Sequence, residues 1–201
     1  MDGHEEHGVE EQAQVRSRAR VRVRARAALG SLVFLFVAPG TVVGLLPWWL
    51  TGFRAADLPG WWLPGRVAGA LLVVAGLVVL VEQFGRFALE GLGTPAPVAP
   101  TRNLVVGGWY RHVRNPMYVA VIATLTGETL LLGRPLLAGW LVLATAAMVA
   151  FVHGYEEPTL LARYGRHYED YRRQVPGWFP RWRPADLDGV SRPGPGPAPP
   201  R

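Results

Sequence analysis

Long uncharged stretches alternating with short arginine-rich ones set the pattern of this chain. Residues 29–50, LGSLVFLFVAPGTVVGLLPWWL, carry no charge. As a helix they are long enough to cross a hydrocarbon layer of about 30 Å. A second apolar run covers residues 67–81 and continues through Glu82, Gln83 and Phe84. Residues 116–133 form a third, broken by a single acid, Glu128, and residues 135–152 a fourth, again uncharged. Runs of this length also occur as buried helices of large soluble cores. Four of them in 201 residues leave too little polar sequence to cover them. The pattern therefore predicts an all-α, polytopic membrane bundle of about four transmembrane helices.

Composition supports this reading: 50% of residues are hydrophobic and only 18% charged, against about 25% charged in soluble domains. Mean hydropathy is +0.15. The absence of cysteine excludes a disulfide framework, a thiolate metal site and a cysteine nucleophile. All 21 basic residues are arginine, which, with abundant Gly, Pro and Ala, points to a GC-rich bacterial genome. Their positions carry more information than their number. Arg16, Arg18, Arg20, Arg22, Arg24 and Arg26 precede the first run, and Arg86, Arg102, Arg111 and Arg114 fill the second connection. The first connection holds only Arg54 and Arg66, and the third only Arg134. Positive loops stay cytoplasmic, so both termini are expected inside, in a bacterial inner membrane. Trp48, Trp49, Trp61 and Trp62 flank the first connection, where an interfacial aromatic belt would lie.

The ends read differently from the middle. Residues 1–28 are expected as a disordered, arginine-rich cytoplasmic arm. The acidic start speaks against a signal or transit peptide. The Arg-x-Arg alternation suits anionic lipid rather than nucleic acid. His4-Glu-Glu-His7 has metal-compatible spacing but lies in that acidic tail, so no metal site is expected. Residues 29–183 form the membrane domain, and residues 184–201 a Pro/Gly-rich disordered tail.

Two polar blocks on the cytoplasmic side could hold chemistry. The first, residues 107–118, reads GGWYRHVRNPMY. Asn115 is a preferred N-cap and Pro116 fits a first helical position, so the third span should start there. Its dipole end, with Arg111 and Arg114 alongside, would form an anion-binding corner. A capped helix with snorkelling arginines is the plainer alternative. The second block follows the fourth run as His153-Gly-Tyr-Glu156-Glu157-Pro158. Adjacent acids are unusual where positive residues normally anchor a span. Pro158 suggests a fresh helix start with the preceding residue extended. Beyond it, Leu160, Leu161, Tyr164, Tyr168, Tyr171 and Val175 recur at helical spacing, with charged residues opposite. That predicts a C-terminal amphipathic interfacial helix, closed by a Trp/Pro stop at residues 175–180.

An arginine corner facing a pair of acids would suit a ligand with a carboxylate at one end and a cationic centre at the other. S-adenosyl-L-methionine is such a ligand, and methyl transfer from it needs alignment and exclusion of water more than a catalytic triad. The same residues carry a family resemblance. The chain resembles the isoprenylcysteine carboxyl methyltransferase and phospholipid methyltransferase group of integral-membrane enzymes. The resembling stretches are Arg114-Asn115-Pro116-Met117-Tyr118, Glu156-Glu157, and Tyr164-Gly165-Arg166-His167-Tyr168-Glu169-Asp170-Tyr171 followed by Val175-Pro176 and Pro180. The resemblance covers roughly residues 87–183, about half the chain. The resemblance implies an S-adenosyl-L-methionine-dependent methyltransferase with cofactor residues Tyr110, Arg114, Asn115, Pro116, Tyr118, Glu156 and Glu157. Arg114 and Glu157 would be its catalytic pair. It also implies a lipophilic or lipidated acceptor entering from the bilayer, its polar head met by Arg111 and Arg172. Asn115 departs from the histidine of the eukaryotic pattern and cannot take up a positive charge.

Two intramembrane acids need separate readings. Glu128 lies about 20 Å along its helix from Asn115 and is expected in a hydrogen-bonded or outer-interface role. Glu82 is the better placed to line the site. Two other functions compete: an NADPH-dependent membrane reductase related to sterol reductases, and a non-enzymatic membrane scaffold or transporter subunit.

Overall fold

In the computed structural model, residues 37–90, 104 and 106–187 are described, without the side chains of 86–90. The chain divides into two compact units, residues 1–40 with 81–100, and residues 41–80 with 101–201. Described residues of the first unit are 37–40 and 81–90, including the buried Gln83 and Phe84. Glu82 is exposed. All the residues considered below as a site belong to the second unit.

The described residues are helical, with no strand among them. Helix α1 (Thr41–Thr51) opens with a π-turn over Thr41–Leu45. A loop and a 3-10 turn at Gly60–Trp62 lead into α2 (Leu63–Glu90). A second 3-10 turn, Gly108–Arg111, precedes α3 (Pro116–Leu132). Gly133, at φ +61°, turns the chain directly into α4 (Pro135–Phe151). Helix α4 runs through a π-turn at Val152–Glu156 into α5 (Glu157–Tyr164), and α6 (Arg166–Gln174) follows.

Two helices are long and apolar enough to cross a membrane, Gly60–Gly85 and Pro135–Tyr164. Their surfaces are apolar and mostly uncovered within the protein: Val67, Leu71, Val74 and Val78 form an exposed stripe on α2, as do Val142 and Leu143 on α4. Lipid is the solvent such faces require. Helix α3 is apolar but has 17 residues, about 25 Å, and α1 is shorter still. Part of the first expected span, residues 29–36, lies outside the described residues, as do the arginine arm and most of the C-terminal tail.

The close approach of α2 and α3 follows from small residues. A Cβ at Gly69 would sit 2.6 Å from the Gly127 carbonyl oxygen, and one at Gly127 would sit 2.6 Å from that of Gly69. Two turns along, a Cβ at Gly76 would meet the Ala120 carbonyl at 2.7 Å and the Thr124 hydroxyl. Backbones in direct contact are how membrane helices associate without a hydrophobic driving force. Val43, Leu80, Ala120, Val121, Leu125 and Ala144 pack the core around this seam, and the Trp140 indole ties α4 to the Val42 carbonyl at 3.0 Å.

Two expectations need correction. Pro158 does not start a new helix: Glu157 before it is helical, at φ −60° and ψ −47°. The missing proline N–H is absorbed by the π-turn just upstream, where the Glu157 amide reaches back to the Val152 carbonyl. The same device precedes Pro47 in α1. Second, the amphipathic segment is not one helix. Gly165, at φ +51° and ψ −127°, breaks it in a conformation open essentially to glycine alone. Beyond α6, Ala185 and Leu187 are buried against Tyr168, Tyr171 and Val175. The tyrosine face of α6 is thus covered by the chain's own C-terminal segment. Glu128 is buried on α3, with one carboxyl oxygen lacking a partner.

Candidate functional site

The polar end of the second unit gathers both sequence blocks around one guanidinium. Arg114 Nη1 donates to Glu157 Oε1 at 2.7 Å and to the Tyr168 hydroxyl at 3.3 Å. Its Nε donates to the Val175 carbonyl at 3.0 Å, and its backbone N–H to the Pro176 carbonyl at 2.9 Å. Arg114 therefore joins the start of α3, the α4–α5 junction, α6 and the segment after it. The Arg114 and Glu157 side chains are each 14% exposed, so their attraction is screened far less than at an open surface. Arg172, more than half exposed, stands 3.8 Å from the other Glu157 oxygen.

Glu156 has a different partner. The Tyr118 hydroxyl donates to its Oε1 at 2.6 Å. The two neighbouring carboxylates are thereby sorted: Glu157 faces a cation and Glu156 a neutral phenol. Both lie where the π-turn of α4 meets α5, and π-turns inside helices often mark functional positions.

A layer of phenols supports this arrangement. Burial pushes the Tyr110 hydroxyl above its ordinary pKa, and the Glu156 charge adds to the shift. Burial likewise raises Tyr171 and, against the opposing Arg114 charge, Tyr168. All three are neutral donors at physiological pH. The Tyr171 hydroxyl donates to the Tyr110 carbonyl at 2.8 Å, fixing α6 to the 3-10 turn.

Asn115 occupies the N-cap position and Pro116 the buried first turn of α3, as expected, but the Asn115 side chain makes no capping bond. Its Nδ2 donates to the Gly177 carbonyl at 3.1 Å. Arg111 is engaged elsewhere: its Nε donates to the Ala185 carbonyl at 2.8 Å, and its own carbonyl accepts from the Ala185 amide. One residue on, the His112 carbonyl accepts from the Arg181 amide at 3.0 Å, and a His112 ring nitrogen meets the Arg181 carbonyl at 2.8 Å. Residues 175–185 thus form a strap along residues 111–115. Trp178 of the strap stacks on His153 at 6.5 Å and 9° and lies 6.3 Å from the Tyr118 ring.

Of the expected site residues, Tyr110, Arg114, Tyr118, Glu156, Glu157 and Arg172 converge here; Asn115 and Arg111 hold the strap. Tyr168, Trp178 and the carbonyls of residues 175–177 were not expected as parts of the cluster. The tyrosine spacing and the Val-Pro-Gly-Trp stop are visible in the sequence, but there they read as one face of an interfacial helix and a terminator. Among the described residues, no group of three or more His, Cys, Asp or Glu could hold a metal ion.

Two curated relatives are similar over parts of the chain. Delta(14)-sterol reductase of Mus musculus is 32% identical over 90 residues, 44% of this chain and 21% of that protein. The nickel-cobalt-cadmium resistance protein NccN of Alcaligenes xylosoxydans xylosoxydans is 33% identical over 122 residues, 60% of this chain and 54% of that protein. The chain thus spans about half or less of the length of either. The phospholipid methyltransferase family matches residues 65–167, just over half of the chain and both helices that bring Arg114, Tyr118, Glu156 and Glu157 together, and the chain belongs to that family.

Proposed function

We propose that the protein is an S-adenosyl-L-methionine-dependent methyltransferase acting on a lipophilic or membrane-embedded acceptor, related in activity to isoprenylcysteine carboxyl methyltransferases. The observation that carries this reading is the meeting of Arg114 with Glu157 and of Tyr118 with Glu156, at 2.7 and 2.6 Å. The donor set suits the cofactor: a guanidinium for a carboxylate, acids for ammonium and sulfonium, and the Tyr118 and Trp178 rings for a flat base. When bound, the cofactor supplies an activated methyl group for in-line transfer.

The chain's own residues do the positioning. Arg114 and Glu157 form the proposed catalytic pair, in which Arg114 exchanges part of its contact with Glu157 for an anionic group. Glu156, polarised only by a neutral phenol, offers the less compensated negative charge to a cationic centre. Tyr110, Asn115 and Pro116 hold the base of the cluster, and Arg172 meets the acceptor's polar head. Asn115 does not move a proton, because its amide stays on Gly177. Arg111, tied to Ala185, supports the strap. The proposed topology has four spans, with both termini and the site cytoplasmic.

Calorimetry on the purified protein in detergent tests this. Wild type binds S-adenosyl-L-methionine, and Glu157→Gln weakens binding at least about tenfold, the scale of one charge-assisted bond. No binding by a folded wild type overturns the proposal. The similarity to a sterol reductase favours one second reading, a reductase using reduced nicotinamide. NADPH quenching of tryptophan fluorescence, with none from S-adenosyl-L-methionine, would establish it instead.

A further inference from the structure

Residues 172–183 read RRQVPGWFPRWR, with four arginines and no acid. Within this stretch Val175 is buried and Trp178 is seated on His153, whereas Phe179 is 84% exposed and Trp182 is 99% exposed. Two large aromatic rings on one short loop contribute nothing to the packing of the described residues. All four arginines are exposed, or more than half so. Arg181 bends back to the Gln174 carbonyl at 2.8 Å, leaving the loop a compact tip. Its place in the fold is also fixed: Trp178 rests at the end of the α4 span, and Arg114 at the start of α3 grips Val175 and Pro176. The tip therefore lies where an apolar helix ends, the level at which hydrocarbon gives way to headgroups.

Aromatic rings with arginines at that level have one matching partner. We propose that residues 172–183 are an interfacial anchor, with Phe179 and Trp182 inserted among lipid headgroups and Arg173, Arg181 and Arg183 on anionic phosphates. The rings gain apolar surroundings they lack in the protein, and each arginine adds attraction that a zwitterionic surface does not supply. The anchor is coupled to the polar cluster through backbone. The Pro176 and Gly177 carbonyls are held by Arg114 and Asn115, and the Arg181 and Ala185 amides by His112 and Arg111. Docking of the tip on an anionic bilayer holds the strap closed over the start of α3. The strap lies beyond the stretch matched by the family, and the anchor does not depend on which cofactor the cluster takes.

The absence of cysteine allows a single nitroxide at Pro180→Cys in the full chain, reconstituted in nanodiscs with or without phosphatidylglycerol. With phosphatidylglycerol, the label is more accessible to oxygen than to a water-soluble nickel chelate. Amide exchange of residues 179–187 is slower by at least about fivefold than in phosphatidylcholine alone. The added double substitution Phe179→Ser, Trp182→Ser returns the label to an aqueous pattern; both side chains are exposed, so the core is untouched. An aqueous pattern in both discs overturns the proposal. So does dipolar broadening between labels, which would mean a second copy covers the tip, or exchange indifferent to lipid charge.

Discussion

The second unit closes its two ends with the same residue types and to different effect. At the hairpin end, arginine and tryptophan fasten the loop between α1 and α2 both to α2 and to the end of α3 and its turn into α4. Arg66 donates to the Ala56 carbonyl at 2.7 Å, Arg134 to the Arg54 carbonyl at 3.0 Å, and the Trp62 indole to the Leu130 carbonyl at 3.0 Å. The Ala56 amide completes the seam on Leu132. At the polar end, Arg114 also grips carbonyls, but it adds the Glu157 carboxylate and the Tyr168 phenol. Bonds from arginine to carbonyls staple a loop without setting the guanidinium against a negative charge. An arginine balanced against a carboxylate holds charge that a charged ligand can redistribute. One end is built for closure; the proposed chemistry belongs to the other.

The largest effect should come from breaking the helix seam near the hairpin end. Gly69→Val places a side chain where even a Cβ would lie 2.6 Å from a carbonyl oxygen. A loss of about 4 kcal/mol or more is expected, at the extreme of single-substitution effects. Thermal unfolding in detergent should show no cooperative transition near that of wild type; a normal transition would mean the helices can part freely.

Arg114→Ala comes next and should separate the two ends. It strands Glu157 and releases Val175, which costs about 3 kcal/mol by analogy with broken buried pairs, and it should abolish S-adenosyl-L-methionine binding. Arg66→Ala at the hairpin end should cost only about 1 kcal/mol and leave binding intact. Equal loss of binding in both would erase the distinction.

Much of this contrast was legible in the sequence. The apolar runs located α2, α3 and α4, and Asn115-Pro116 located the start of α3, because helix starts depend on local chemistry. Glu156-Glu157 stood out because acids are rare where a span ends. The continuity of α4 into α5 was not legible, because Pro158 normally ends a helix and a π-turn leaves no signature in sequence. The burial of Tyr168 and Tyr171 was hidden for another reason. A tyrosine stripe looks the same whether lipid or protein covers it, and the cover here comes from Ala185 and Leu187, in a stretch of turn-forming residues. The pairing of Arg114 with Glu157 joins residues 43 positions apart, a distance no local pattern reports.

Smaller effects sharpen the polar end. Tyr118→Phe removes the hydrogen bond to Glu156 and should weaken cofactor binding by about fivefold, or roughly 1 kcal/mol, with little change in melting temperature. An unchanged affinity would mean that Glu156 does not need its phenol. Tyr110 and Tyr171 have pKa values raised above 10.0 by burial. Their contribution to stability is therefore complete below pH 10 and is lost as pH rises through the raised values. Phenolate absorbance followed with circular dichroism should show these two ionising only as the fold is lost.

The most direct test of the difference between the ends is methyl transfer itself. Wild type, Glu156→Gln and Arg66→Gln would be reconstituted with source-membrane lipids and methyl-labelled S-adenosyl-L-methionine, and label would be counted in the lipid-extractable fraction. Transfer by wild type and Arg66→Gln, with loss of about tenfold or more in Glu156→Gln, is the predicted result. No transfer by folded wild type, or equal transfer by all three proteins, would contradict a methyltransferase site at the polar end.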